Sequence, residues 1–192
     1  MERLMSISNG LDRLVTKVGN CAAWMALPLI LVTVFDVITR RFFVLGSTRL
    51  QEAEWHLHTI LFTLVLGAAY LKDNHVRVDL VRERLSKRSQ AWLEIIGCSF
   101  FLIPYTLLIL FFSFEFVANS FVMGEGSAST NGLDYRWLIK STLIFGFLLV
   151  LGAGVSVLLK NIVFLSQPTL VKTNDVALER PMQTEMQTGQ GR

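Results

Sequence analysis

The stretch AWLEIIGCSFFLIPYTLLILFFSFEFV, Ala91–Val117, runs for 27 residues with Glu94 and Glu115 as its only charges. As a helix it measures about 40 Å, against a bilayer core of about 30 Å, so it reads as a membrane span that must tilt, protrude or bend. Pro104 lies near its middle, removes a backbone donor and marks the expected bend. Three further apolar runs, Val18–Ile38, Leu50–Leu71 and Trp137–Leu159, are each long enough to cross as a helix. Hydrocarbon offers no partner for backbone polar groups, so these runs imply an all-α integral membrane protein. The expected architecture is a four-helix bundle with short connections.

Composition supports a single membrane domain. Of the 192 residues, 52% are hydrophobic and 17% charged, and the mean hydropathy is +0.49. The longest stretches outside the runs, Lys72–Gln90 and the end from Ser166, are too short for a core of their own. The reading is an interfacial segment at 1–17, a four-helix domain at 18–165 and a disordered polar tail at 166–192.

The net charge of +3 is explained by membrane sidedness and not by a nucleic-acid partner. With both termini and the second loop on one side, that side gathers Arg3, Arg13, Lys17, Lys72, Arg77, Arg82, Arg84, Lys87, Arg88, Lys160 and Lys172. The other side holds Arg40, Arg41, Arg49, Arg136 and Lys140, so both termini are expected in the cytoplasm. Leu4, Ile7, Leu11, Leu14 and Val18 fall on one helical face, opposite Arg3, Ser6, Arg13 and Lys17. That pattern fits an amphipathic helix on the cytoplasmic surface, and equally a helical extension of the first span.

Local physics explains many polar residues. Asp36 and Arg40 are four apart and can pair on one face. Thr48 with Gln51 fits a capping box, and Glu52 and Glu54 then sit where the helix dipole favours negative charge. Asp134 is a candidate N-cap and Trp137 an interfacial anchor for the fourth span. Gly152 with Ser156, and Gly19 with Ala23, form small-x-x-x-small pairs that permit close helix approach. The segment GEGSASTNG, Gly124–Gly132, lacks the lysine of a phosphate loop and reads as a flexible outer loop.

Chemistry has few carriers. Cys21 and Cys98 both lie in apolar runs, which excludes a disulfide framework and a thiol oxidase with cysteine pairs in its outer loops. His56 and His58 point about 200° apart on a helix and cannot chelate one ion. No catalytic motif occurs, so the chain reads as a non-enzyme without metal or cofactor. Lys140 is expected to pair with Glu54 or Glu115 on the outer side. The most distinctive stretch is Gly67–Leu80, where small residues close the second span and His75, Arg77 and Asp79 then alternate with Val76, Val78 and Leu80. It reads either as a cytoplasmic turn with Arg77 and Asp79 satisfying each other, or as a docking surface.

Over about Leu14–Leu165 the chain resembles the small membrane subunit of tripartite ATP-independent periplasmic (TRAP) transporters, the DctQ-like family. The resemblance rests on the acidic start of the second span at Glu52 and Glu54, the GAAYL exit at Gly67–Leu71 and the HVRVDL run at His75–Leu80. Arg136, Trp137 and Lys140 leading into a glycine-rich last span add to it. It implies a multi-pass protein of the bacterial inner membrane, in a secondary transporter that takes up an organic acid by symport. In such a system a periplasmic substrate-binding protein captures the acid and a large DctM-like membrane subunit moves it with sodium. The small subunit enlarges the fixed scaffold and orients the large one, with Glu54, His75, Arg77, Asp79 and Lys140 expected to serve assembly. Two other classes remain open on the residues alone: a haem-anchor or electron-transfer subunit, and a small dimeric exporter.

Overall fold

A computed structural model describes residues 1–43, 46–72 and 85–166. Among these the chain is all helical: α1 Glu2–Ala23, α2 Ala26–Phe42, α3 Thr48–Leu71, α4 Lys87–Gly97, a π-helical turn Cys98–Leu102, α5 Ile103–Val122 and α6 Arg136–Ser166. Three helical stretches are long and apolar enough to cross a membrane: Glu2–Phe42, Lys87–Val122 and Arg136–Ser166. The helix α3 is 24 residues long, but its first half carries Arg49, Glu52, Glu54, His56 and His58, and its composition falls short of the other three.

Two prolines interrupt the long helices in opposite ways. Proline cannot donate to the carbonyl four residues back, and its ring crowds that carbonyl. Ahead of Pro104, where the bend was expected, the helix widens into the π-turn Cys98–Leu102 and resumes as α5 with the proline in its first turn. Ahead of Pro28 it tightens instead. The amides of Trp24, Met25 and Leu27 bond the carbonyls of Cys21, Ala22 and Trp24, three residues back, at 3.2, 2.9 and 3.1 Å, which separates α1 from α2.

The helices form an open row and not the closed bundle expected from their number. The order across the row is α2, α3, α6, α5: α2 packs on α3, α3 on α6 and α6 on α5. Small residues set the central contact. A Cβ on Gly146 would lie 2.6 Å from the Thr63 carbonyl oxygen, and one on Gly67 would lie 2.9 Å from the Leu149 carbonyl carbon. Such backbone proximity is how helices gain contact where lipid competes with side chains. Nothing comparable draws α2 inward, and Asp36 is its one buried residue.

Helix α1 packs on both α3 and α6. It meets α3 within 64–72 and α6 within 152–160, toward the C-terminal ends of both. Val15, Ala68 and Ala153 form the buried core there. Polar pairs reinforce it: Ser8 and Ser156 hydroxyls are 2.7 Å apart, Asp12 accepts from Ser156 and Lys160, and Lys72 donates to Asn20 at 2.9 Å. Gly19 and Gly152, two of the small residues picked out by spacing, face α3 and α1 within this junction.

Candidate functional site: the outer clasp and the α2–α3 cleft

Glu52 is 4% exposed, and the outer loop closes over it. Its carboxylate accepts from the Leu133 amide at 2.5 Å, the Ser127 hydroxyl and Arg136 at 3.4 Å. Arg49 adds a bond to the Asn131 carbonyl at 3.2 Å. Within the loop, Ser129 N–H donates to Ser127 Oγ at 3.1 Å and Gly132 N–H to the Ser129 carbonyl at 3.1 Å. The glycine-rich segment is therefore a fitted closure and not the flexible loop its composition suggested. The reason is Glu52: a buried carboxylate needs donors, and small loop residues let backbone amides reach it. A Cβ on Gly132 would come within 2.7 Å of Glu52 Oε2. Gly124 takes a φ of +59°, which suits a residue without a side chain.

Two cap assignments also change. The helix α3 begins at Thr48 with Ser47 as N-cap and no side-chain cap bond, and the Thr48–Gln51 box does not form, Gln51 being turned to Arg40. At the start of α6 the Arg136 amide bonds the Glu125 carbonyl at 3.1 Å, the positive-φ residue Tyr135 having turned the chain, so Asp134 does not cap that amide.

Lys140 pairs with Glu125 and not with Glu54 or Glu115. Its ammonium also stands 3.9 Å from the Phe116 ring centroid. The Lys140 bond holds the Glu125 carboxyl below the usual glutamate range. Beside it, Phe121 and Trp137 meet edge to face at 5.3 Å and join the outer ends of α5 and α6.

Glu54 faces away from this clasp into a cleft of about 560 Å³ between α2 and α3, lined by Asp36, Val37, Arg40, Arg41, Gln51, Glu54 and Trp55. Arg40 pairs with Asp36, as the spacing predicted. With its amide oxygen turned to Arg40, Gln51 accepts from the guanidinium at 2.8 and 2.9 Å. Two buried oxygens, Asp36 Oδ1 and Glu54 Oε1, have no hydrogen-bond partner.

On the far side of α3, a second groove of about 560 Å³ runs between α3 and the π-turn with α5, lined mainly by Leu66, Phe101, Tyr105 and Phe147. The Tyr70 hydroxyl and Cys98 Sγ lie 3.1 Å apart at that groove.

The histidines behave as their spacing implies. His56 Nδ1 is 2.5 Å from the Glu52 carbonyl oxygen, and His58 lines a separate cavity with Thr59, Phe62 and Gly146. Among the described residues no group of three His, Cys, Asp or Glu side chains could hold a metal ion. His75, Arg77 and Asp79 lie outside the described residues. Sequence reasoning missed the roles of Asp36, Gln51 and Glu125 as cleft and clasp residues; their only signals were helical spacing and the chance that a loop folds back.

No curated protein and no solved structure matches the chain. The family model of the DctQ component of tripartite ATP-independent periplasmic transporters matches residues 29–163, which takes in nearly all of the helical row and well over half of the chain. The chain therefore belongs to the DctQ family, as a non-enzymatic, multi-pass inner-membrane component of a TRAP transporter.

Proposed function

We propose that this chain is the scaffold subunit of a sodium-coupled, binding-protein-dependent importer of an organic acid. It binds the large DctM-like subunit and fixes its depth and tilt, while that subunit carries the sodium and substrate sites and the periplasmic binding protein delivers the acid. The observation that carries the reading is the match of the DctQ family across a row of helices joined by backbone-close glycine contacts. Such contacts favour a static element, since sliding α3 past α6 would break them.

In this reading α3 is the fourth span. At about 36 Å it is long enough, and the Glu52 carboxylate is satisfied by the loop at the outer surface. Both termini are cytoplasmic, and α1 lies at the inner interface across the ends of α3 and α6. Glu54 and Lys140 serve assembly, Glu54 at a contact and Lys140 by holding the outer clasp, while His75, Arg77 and Asp79 form the inner docking run.

The test is purification of the tagged chain from native membranes in mild detergent, followed by mass spectrometry. One large polytopic subunit in equal amount is the expected companion. A solitary chain or homodimer that transports in liposomes by itself would overturn the proposal, as would a stoichiometric redox subunit with haem absorbance.

A further inference from the structure

In hydrocarbon an exposed apolar face needs no protein partner, because lipid tails are as apolar as leucine. A buried carboxylate oxygen without a donor does need one. By that criterion the phenylalanine-rich surface of α5 says little about contacts, and the α2–α3 cleft says much. Asp36 is 3% exposed; its Oδ2 is taken by Arg40, while its Oδ1 is free. Glu54, from the facing helix, is half-buried, and its Oε1 is likewise covered and without a partner. The cleft's own cations reach neither oxygen: Arg40 is occupied by Asp36 and Gln51, and Arg41 lies on the exposed rim.

We infer that this cleft is a seat for a lysine or arginine side chain carried by a transmembrane helix of the large subunit, an inference that rests on the proposed function. The cleft's volume of about 560 Å³ exceeds what one long side chain fills, and its two open acceptors come from two different helices. A donor that bridges them therefore joins α2 to α3 as well as to the partner. Trp55 and Val37 on the same lining supply an aromatic and an aliphatic neighbour for the stem and charge of such a residue. Two carboxylate oxygens are too few for a closed cage around a hard cation, which favours a side-chain ammonium or guanidinium over a bound ion. The seat also explains why α2, which packs on α3 with one buried residue, holds its place at the end of the row: the partner covers it.

The experiment uses the full chain co-expressed with its large subunit. A photo-crosslinking residue replaces Val37 at the cleft or Phe111 on α5 at the opposite end of the row, and Glu54→Lys and Glu54→Gln are compared by co-purification at matched membrane levels. Crosslinks to the large subunit are expected from position 37 and not from 111. Glu54→Lys is expected to lower recovery of the large subunit about thirtyfold, as truncation of buried charge pairs does, with Glu54→Gln intermediate. Recovery within twofold of wild type for Glu54→Lys, or crosslinks from 111 alone, overturns the seat. A sodium-dependent thermal shift of the isolated chain that Glu54→Gln abolishes assigns the cleft to an ion and also overturns it. If wild type recovers no large subunit at all, the functional reading fails first and the seat falls with it, an outcome distinct from the other three.

Discussion

Replacing Gly146 with alanine tests the central contact of the row. The new methyl carbon would stand 2.6 Å from the Thr63 carbonyl oxygen and 2.8 Å from Thr63 Cβ, where ordinary contact begins near 3.4 Å. The obstacle is backbone, so no rotamer change relieves it, and α3 and α6 must separate by about 0.8 Å, the gap between those distances. Overpacking of this kind costs about 1–3 kcal/mol. Alanine's better helix propensity returns up to about 1 kcal/mol, so with the full return the net loss is up to about 2 kcal/mol. For a chain of this length that is a fall in Tm of up to about 8 °C. Gly97→Ala is the control: nothing lies within 4 Å of its added carbon, so the propensity gain should stand alone and Tm should hold or rise. The assay is thermal unfolding of both variants in one detergent, followed by tryptophan emission and far-ultraviolet circular dichroism. Should Gly146→Ala melt at or above wild type while Gly97→Ala behaves as stated, the close approach of α3 and α6 is not what holds the row.

Glu52→Ala should release the outer loop, raising amide exchange across Gly124–Leu133 while exchange in the α1–α3–α6 core stays at the wild-type rate; an unchanged loop would remove the clasp. The Glu125–Lys140 pair predicts a pH effect of definite sign. A carboxyl held below its usual range stabilises the fold above that range, and loses the contribution as pH falls through its lowered value. The stability difference between wild type and Lys140→Met should therefore shrink on acidification below the ordinary glutamate range, and a gap that does not change with pH would refute the pairing. Joint replacement of His75, Arg77 and Asp79 by alanine should reduce recovery of the assembled transporter more than membrane insertion of this chain; equal loss of both would mean the segment serves folding and not docking.

The sequence announced membrane helices because length and apolarity are local properties, and Ala91–Val117 shows both without help from any neighbour. It also announced trouble at Pro104, though not that the chain would widen by a π-turn, because that choice depends on what the turn packs against. The break at Pro28 carries the same local signal, masked by the apolar run around it. The row arrangement was illegible for a different reason: apolar faces that meet lipid and apolar faces that meet helices have the same composition. Small residues at helical spacing hinted at contacts, and Gly19 and Gly152 do face α3 and α1, but Gly67 and Gly146, which set the central contact, lie outside those spaced pairs. The clasp needed knowledge that a loop about 75 residues away returns to Glu52, and the local dipole argument accounted for that glutamate well enough to conceal its distant partners. The partner of Lys140 is hidden for the same reason, since Glu125 lies in a loop whose composition says nothing of where it folds back.

A row of four helices has a mechanical character that a square bundle lacks. At interhelical spacings of about 9 Å its two ends are about 27 Å apart, so rocking the plank by about 10° in its own plane would lift one edge by about 5 Å relative to the other. Each ångström of such displacement exposes or buries hydrocarbon at a small but cumulative cost. A partner bolted to one end of such a plank would gain an outrigger, since the bilayer itself would resist its roll.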